Sequence, residues 1–209
     1  MSEHYFTARP GSADRRTGFE ATVWGRRLRL DSAAGVFSHG RMDLGTGVLV
    51  RSARPSPTAR AVLDLGSGSG LLATSLGCAL PRAQVWAVDI NARARELTRA
   101  NGTAHGLDAR LHVAGPDGVP ADIVFDEIWS NPPIRIGKPA VHALLHRWLP
   151  RLARDGRAVL VIGRNLGADS YRRWLVDEGW ACARLASAKG FRVLEVTRVP
   201  PGLQGRRAT

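Results

Sequence analysis

Two short segments of this chain carry residue types that can do chemistry. The first runs Asp64-Leu-Gly66-Ser-Gly68-Ser-Gly70 behind an apolar stretch from Val62, and Asp89 follows nineteen positions after Gly70. Glycines at the end of a buried strand let the backbone turn sharply and approach a ligand without a Cβ in the way. An acid at the end of the next strand stands where it can bind a ribose diol. A dinucleotide loop would read G-x-G-x-x-G, but the third position after Gly68 is Leu71 and the glycines here alternate. Asp64 narrows the ligand further. A carboxylate just ahead of the loop repels a pyrophosphate and suits a cationic or zwitterionic group, so Asp64 and Leu71 both disfavour a nicotinamide dehydrogenase.

The second segment is Ser130-Asn131-Pro132-Pro133-Ile134, about 40 residues after Asp89. Its prolines fix φ and remove two backbone donors, and Pro132 biases Asn131 away from helical geometry. The Asn131 side-chain oxygen and the carbonyls of Asn131 and Pro132 are left to accept. An exocyclic amino group conjugated to a ring or a carbonyl is a poor nucleophile. Two fixed acceptors on its hydrogens favour a pyramidal nitrogen and aim its lone pair, so positioning supplies most of the catalysis. The bland alternatives are a tight glycine turn and an ordinary Asn-Pro loop; the combination at this spacing argues against both.

These residues need a scaffold that brings strand ends together. Strand and helix patterns alternate from residue 60: strands over Ala61–Leu65, Gln84–Asp89, Leu111–Val113, Asp122–Trp129 and Ala158–Ile162, and helices over Gly70–Leu80, Ala92–His105, Lys138–Leu152 (irregular at Pro150) and Ala168–Glu178. Late strands at Ala181–Ala186 and Arg192–Arg198 flank Gly190. Such alternation predicts a doubly wound α/β fold whose mostly parallel sheet carries helices on both faces and ligands at the carboxyl ends of its strands. Before it, Val23, Leu28 and Leu30 suggest a hairpin around Gly25, and Leu44 to Val50 the start of a helix. The expected organisation is an extension and substrate-side loop over residues 1–50, the α/β domain over 51–199 and a mobile tail over 200–209.

The 209 residues, 44% hydrophobic with six Trp, can bury a full core. No long apolar run predicts a membrane span, and Met1 to Phe19 lack a signal-peptide pattern. Cys78 and Cys182 are isolated, which fits a reduced, cytoplasmic setting. His142 and His146 share a helix face at zinc-binding spacing, but no third ligand is evident, so no metal is expected. The net charge of +12, with 28 Arg and 2 Lys (Lys138 and Lys189), favours a polyanionic partner. No basic block occurs, so the charge belongs to a folded face.

Asp64, the alternating glycines and Asp89 resemble the first motifs of class I methyltransferases, which bind S-adenosylmethionine. The Asn131-Pro-Pro turn resembles the [DNS]-PP-[YFW] signature of amino methyltransferases, with Ile134 in place of the aromatic. Gly35-Val-Phe-Ser, Asp43-x-Gly-Thr46, the glycine loop, Asn131-Pro-Pro-Ile-Arg-x-Gly-Lys138 and Lys189-Gly-Phe-Arg-Val-Leu together resemble the "methyltransferase small" family. Its best-known branch methylates guanine N2 of small-subunit ribosomal RNA. The resemblance implies a seven-stranded Rossmann-like methyltransferase sheet behind a short β-rich extension. It implies Asp64, Gly66, Gly68, Gly70, Asp89, Ile90 and Asp117 at the cofactor, with Asp89 on the ribose and Asp117 toward the adenine. Asn131 and Pro132 are implied as catalytic. Phe37, Asp43, Thr46, Ile134, Arg135 and Lys138 are expected at the substrate, with Arg135 and Lys138 against phosphates around a flipped base. Without the aromatic after the prolines, Phe37, Trp129 or Phe191 are the candidates to stack on that base. Ribosomal RNA or a ribosomal subunit is the implied partner. Adenine N6, the glutamine side-chain amide, and an RNA-binding module with a vestigial cofactor site are the alternatives.

Overall fold

The structure, a computed structural model, describes residues 16–36 and 40–200. Two strands, β1 (Arg16–Val23) and β2 (Arg26–Ala33), form an antiparallel hairpin that leads to helix α1 (Leu44–Ser52). The alternating part follows as β3 (Ala61–Leu65), α2 (Leu71–Ala79), β4 (Gln84–Val88), α3 (Ala92–Ala104), β5 (Leu111–Ala114), β6 (Phe125–Ser130), α4 (Lys138–Trp148), β7 (Leu152–Gly163), α5 (Ala168–Asp177), β8 (Trp180–Ala188) and β9 (Phe191–Arg198). One seven-stranded sheet results, in the order β5-β4-β3-β6-β7-β9-β8. Its first five strands are parallel, and β9 runs antiparallel to both β7 and β8.

The strand alternation explains the two faces. Val62, Trp129, Val159 and Val161 point to one core with α1, α2 and the hairpin, while Leu63, Leu65, Ile128, Leu160 and Ile162 point to the other with α4 and α5. Side chains of a strand alternate between faces, so Asp64 occupies a core position on the α2 side. Phe19, Ala21, Val23, Leu28 and Leu30 belong to that same core, so the hairpin and the sheet share one interior. Trp24 fastens the hairpin. Its indole nitrogen donates to the carbonyls of Val50 and Ala53 at 2.9 Å each, which satisfies groups that the end of α1 leaves open. Its ring meets Trp129 edge-on at 5.5 Å.

Some element bounds differ from the sequence reading. The fourth helix ends at Trp148, and a 3₁₀ turn over Leu149–Arg151 accommodates Pro150, which cannot continue the ladder. Strand β7 begins at Leu152, earlier than its apolar run, because it pairs with β6 through an irregular register near Phe125. The fourth strand of the sheet begins at Phe125 instead of Asp122. No helix among the described residues is long and apolar enough to cross a membrane.

Candidate active site

Strand order reverses between β3 and β6, and an open parallel sheet places its ligand crevice at such a point, outside the carboxyl ends of the strands. The two segments singled out by chemistry leave these two neighbouring strands. Leu65 pairs with Ser130, and the Ser130 hydroxyl donates to the Leu65 carbonyl at 2.6 Å. The next residues are Gly66 and Asn131. Asp64, Gly66, Gly68, Leu71, Thr46 and Asn131 consequently line one cleft.

On one side of the cleft the backbone is held from below. The amides of Gly66 and Ser67 donate to the Val88 carbonyl at 2.8 and 3.1 Å. Gly66, Gly68 and Gly70 all have positive φ. A Cβ on Gly66 would point into open space, whereas one on Gly70 would stand 2.9 Å from the Thr98 backbone. Gly70 thus seats α2 against α3, and Gly66 leaves room for a ligand. The Gly68 amide donates to Asp89 Oδ2 at 2.9 Å and the Asn91 amide to Oδ1 at 2.8 Å. Burial raises the Asp89 pKa, opposed by these amides and by Arg95.

Asp64 is the most exposed to consequence. One oxygen, Oδ2, accepts from the Ala73 amide at 2.9 Å. The other, Oδ1, is buried and has no hydrogen-bond partner among the described residues. Burial pushes its pKa up to about 7, the Ala73 amide works against this, and the charge of Asp89 adds to it. A buried carboxylate oxygen without a partner calls for a cation or a donor. The residues present therefore fit a ligand with an ammonium group near Asp64 and hydroxyls near Asp89.

Across the cleft, Asn131 Nδ2 donates to Asp43 Oδ2 at 2.7 Å and to Thr46 Oγ1 at 3.1 Å. An ionised carboxylate only accepts, so the group beside Asp43 is the amide nitrogen, and Asn131 Oδ1 faces elsewhere. Asp43 is also the N-cap of α1 and accepts from the Thr46 amide at 3.0 Å. The expected substrate residues Asp43 and Thr46 thus meet the catalytic candidate directly and orient it. Pro132 differs from expectation. Its carbonyl accepts from the Ile134 amide at 2.8 Å, closing an inverse γ-turn at Pro133, whose φ is −75° and ψ 68°. One of its two lone pairs is therefore already engaged.

The remaining expected residues scatter. Ile90 is 51% exposed beside Asp89. Asp117, 93% exposed on a 3₁₀ turn after β5, pairs with Arg147 of α4 at 2.8 Å. Ile134 is half-buried against the α4–α5 core. Lys138 Nζ donates to the Ser170 hydroxyl at 3.1 Å. Phe37 lies outside the described residues, and so does the Arg135 side chain. Trp129 cannot stack on a substrate: it is fully buried and its indole donates to Glu127 at 2.8 Å. The Phe191 ring lies against α1, where a Cβ on Gly45 would come within 3.0 Å of it, so glycine in Asp43-x-Gly-Thr46 makes room for the ring. His142 stacks on Trp174 at 3.8 Å, and His146 stands 3.6 Å from Glu178; no metal-binding cluster occurs among the described residues.

Three supporting residues escaped the sequence reading. Arg95 of α3 donates to the carbonyls of Asp89 and Ile90 at 2.9 and 2.8 Å. Asn101 exchanges hydrogen bonds with the Asp31 backbone and donates to the Ser69 carbonyl at 2.7 Å, which ties the hairpin to the glycine loop. Asn91 caps α3 and donates to the Gly35 carbonyl at 3.0 Å. Only Asn91 had a local signal, an Asn before a helical run; the other two act across distances that spacing does not reveal.

Comparison with known proteins bears on the family and the fold. The model of the methyltransferase small domain matches residues 27–195. The Bacillus subtilis protein YbxB, described as uncharacterized, is 27% identical over 95% of this chain and its own whole length. Ribosomal RNA small subunit methyltransferase C of Chromohalobacter salexigens is 36% identical over 87% of this chain and 54% of its own, and that of Pseudomonas entomophila 33% identical over 86% and 54%. The chain thus spans about half the length of these methyltransferases. Among solved structures, the T. thermophilus 16S rRNA N2 methyltransferase RsmC, in complex with AdoMet and guanosine, superposes with a TM-score of 0.78 at 24% identity, covering 90% of this chain and 52% of that one.

Proposed function

The chain belongs to the methyltransferase small domain family, and we propose that it transfers the methyl group of S-adenosylmethionine to an exocyclic amino group of RNA, guanine N2 of ribosomal RNA in particular. The observation that carries this reading is the shared cleft of Asp64 and Asn131. An acid with an unpartnered oxygen, suited to a cationic ligand, shares this cleft with an amide whose nitrogen is held by Asp43 and Thr46, which leaves its oxygen to accept from an amino group. The basic balance of the chain favours RNA over a small acceptor, and a ribosomal substrate places the protein in the cytoplasm.

Asp64 Oδ1 would hold the ammonium of S-adenosylmethionine, Asp89 its ribose hydroxyls, and the exposed Ile90 side chain the face of its adenine. Gly66 and Gly68 let the backbone approach it. Asp117, paired with Arg147, is the candidate on the adenine side. When bound, S-adenosylmethionine supplies an electrophilic methyl carbon. The protein's own work is then orientation. Asp43 and Thr46 both accept from the amide nitrogen of Asn131, so its Oδ1 is left to accept one hydrogen of the target amino group. The free lone pair of the Pro132 carbonyl accepts the other. Held at two points, the nitrogen turns its lone pair toward the donor side of the cleft, and its surplus proton leaves to water afterwards. Ile134 and Phe191 supply apolar surface beside the base.

Transfer of tritiated methyl from S-adenosylmethionine to 30S subunits, 50S subunits, naked rRNA and protein, followed by nucleoside analysis, tests this. Label in N2-methylguanosine is the expected result. Label only in N6-methyladenosine or in glutamine would overturn the acceptor, and none anywhere would leave an RNA-binding module.

A further inference from the structure

Two residues other than glycine hold positive φ among the described residues: Trp24 at 49° and Lys189 at 48°. Each opens a two-residue hairpin turn completed by a glycine, Gly25 at 83° and Gly190 at 79°. These are type I′ turns, whose first position favours Asn, Asp or Gly because a larger side chain is strained there. At Trp24 the fold itself gains, through the two indole hydrogen bonds to α1 and the contact with Trp129. At Lys189 it gains nothing visible. The residue is exposed and makes no hydrogen bond or ion pair among the described residues. A strained position occupied by a free cation points outward, to a partner.

The tip that carries Lys189 is firmly placed. The Arg164 amide donates to the Gly190 carbonyl at 2.8 Å, and Phe191 pairs with Gly163. The turn over Arg164–Leu166 follows β7, the parallel neighbour of β6, so the tip and Asn131 share one end of the sheet. Phe191, two residues past Lys189, lies against Gly45, next but one to the Asp43 that holds Asn131. The exposed charges around the tip are basic, and the cleft acids Asp43, Asp64 and Asp89 lie inward of them, half-buried or buried. Arg164 and Lys138 are exposed, and Asp169, an exposed acid nearby, is paired with Arg192. The chain's two lysines, Lys138 and Lys189, both stand here.

We propose that the β8–β9 tip is a phosphate clamp for RNA. Lys189, with Arg164 beside it, contacts the backbone of the strand whose nucleotide is presented to Asn131. The inference rests on the RNA reading above and adds the surface that grips the strand. A lysine on a flexible stem suits phosphate as a point charge and reads no sequence.

The deciding variant is Lys189→Asn, because it moves two observables in opposite directions. Asn is favoured in the turn, so the thermal midpoint should hold or rise, which a structural role for Lys189 would not allow. Binding of a fluorescein-labelled fragment of 16S rRNA should weaken several-fold, with the slope of log affinity against log salt falling by about one between about 50 and about 200 mM. Lys189→Ala should show the same slope change, S-adenosylmethionine affinity should be untouched, and KM for RNA should rise more than kcat falls. An unchanged salt slope in an enzyme that still methylates rRNA overturns the clamp and leaves the function standing. Failure of the unaltered protein to bind the RNA fragment overturns both. A slope that drops only with acidic protein as the ligand assigns the tip to a protein surface and overturns it as well.

Discussion

The two walls of the cleft are built by different means. On the cofactor side, loop and acid are held by main-chain groups from neighbouring strands: Gly66 and Ser67 on Val88, Gly68 on Asp89. The contacts span about twenty residues of chain. On the acceptor side, Asn131 is held by side chains from a helix start 88 and 85 positions earlier. The main-chain contacts of the first wall lie within β3, α2 and β4, with α3 packed behind them. The second exists only once α1 has docked on the sheet. Substitutions should therefore separate them: changes around Asn131 should lower turnover with the cofactor still bound, and changes around Asp64 should act on the cofactor first.

The largest effect expected is at Asn131. Asn131→Ala removes the oriented acceptor and should lower single-turnover methyl transfer by roughly 10²–10³-fold, the range for loss of one preorganised polar contact to a reacting group. S-adenosylmethionine affinity, read by calorimetry, should stay within about twofold, because nothing on the cofactor wall depends on this side chain. Loss of cofactor binding in step with turnover would merge the two walls.

A smaller effect sharpens the acceptor wall alone. Asp43→Asn keeps a good N-cap for α1, so stability should change little. It removes the acceptor-only group that dictates which way the Asn131 amide faces. The amide can then turn over, and kcat should fall by about tenfold with the KM for RNA nearly constant, on the order of the effect of a positioning contact. Asp43→Ala should lose both kcat and thermal stability. Equal turnover for Asp43→Asn and the unaltered protein would mean that Thr46 suffices.

The same division governs how much could be read from sequence. The placement of Asp64, the three glycines and Asp89 was legible because it follows from local geometry: a strand, a turn that needs positive φ, and the next strand. Asn131 was legible because prolines restrict its own backbone. Asp43 and Thr46 could be suspected only through resemblance. Nothing in their spacing states that an N-cap carboxylate would also hold an amide 88 positions away. Arg95 and Asn101 were invisible for the same reason; a polar residue on an amphipathic helix looks solvated until its carbonyl partners are placed. Trp129 was a candidate to stack on a substrate because Ile134 stands in place of the usual aromatic, but its strand position faces the interior, where Glu127 takes its N–H. The Lys189 turn was legible as a turn from Gly190, and its strain only from the dihedral angle.

The mildest effect expected is a pH dependence confined to the cofactor wall. With its pKa at about 7, Asp64 is protonated in the free protein across much of the acidic range. The folded value lies above the unfolded one, so the folded state binds the extra proton. The stability it contributes is fully present below about pH 4 and is lost as pH rises through about 7. A bound ammonium reverses the preference, since it requires the carboxylate. Affinity for S-adenosylmethionine should therefore rise by about fivefold from pH 6 to pH 7, and turn over near pH 8, where an α-amino group begins to lose its own proton. Asp64→Asn should flatten the rise and bind more weakly above pH 7. Asn131→Ala should leave the curve in place, because the amide does not titrate and stands on the other wall. A rise that survives Asp64→Asn would assign the proton to another group, with Asp89, the other acid whose pKa burial raises, first in line.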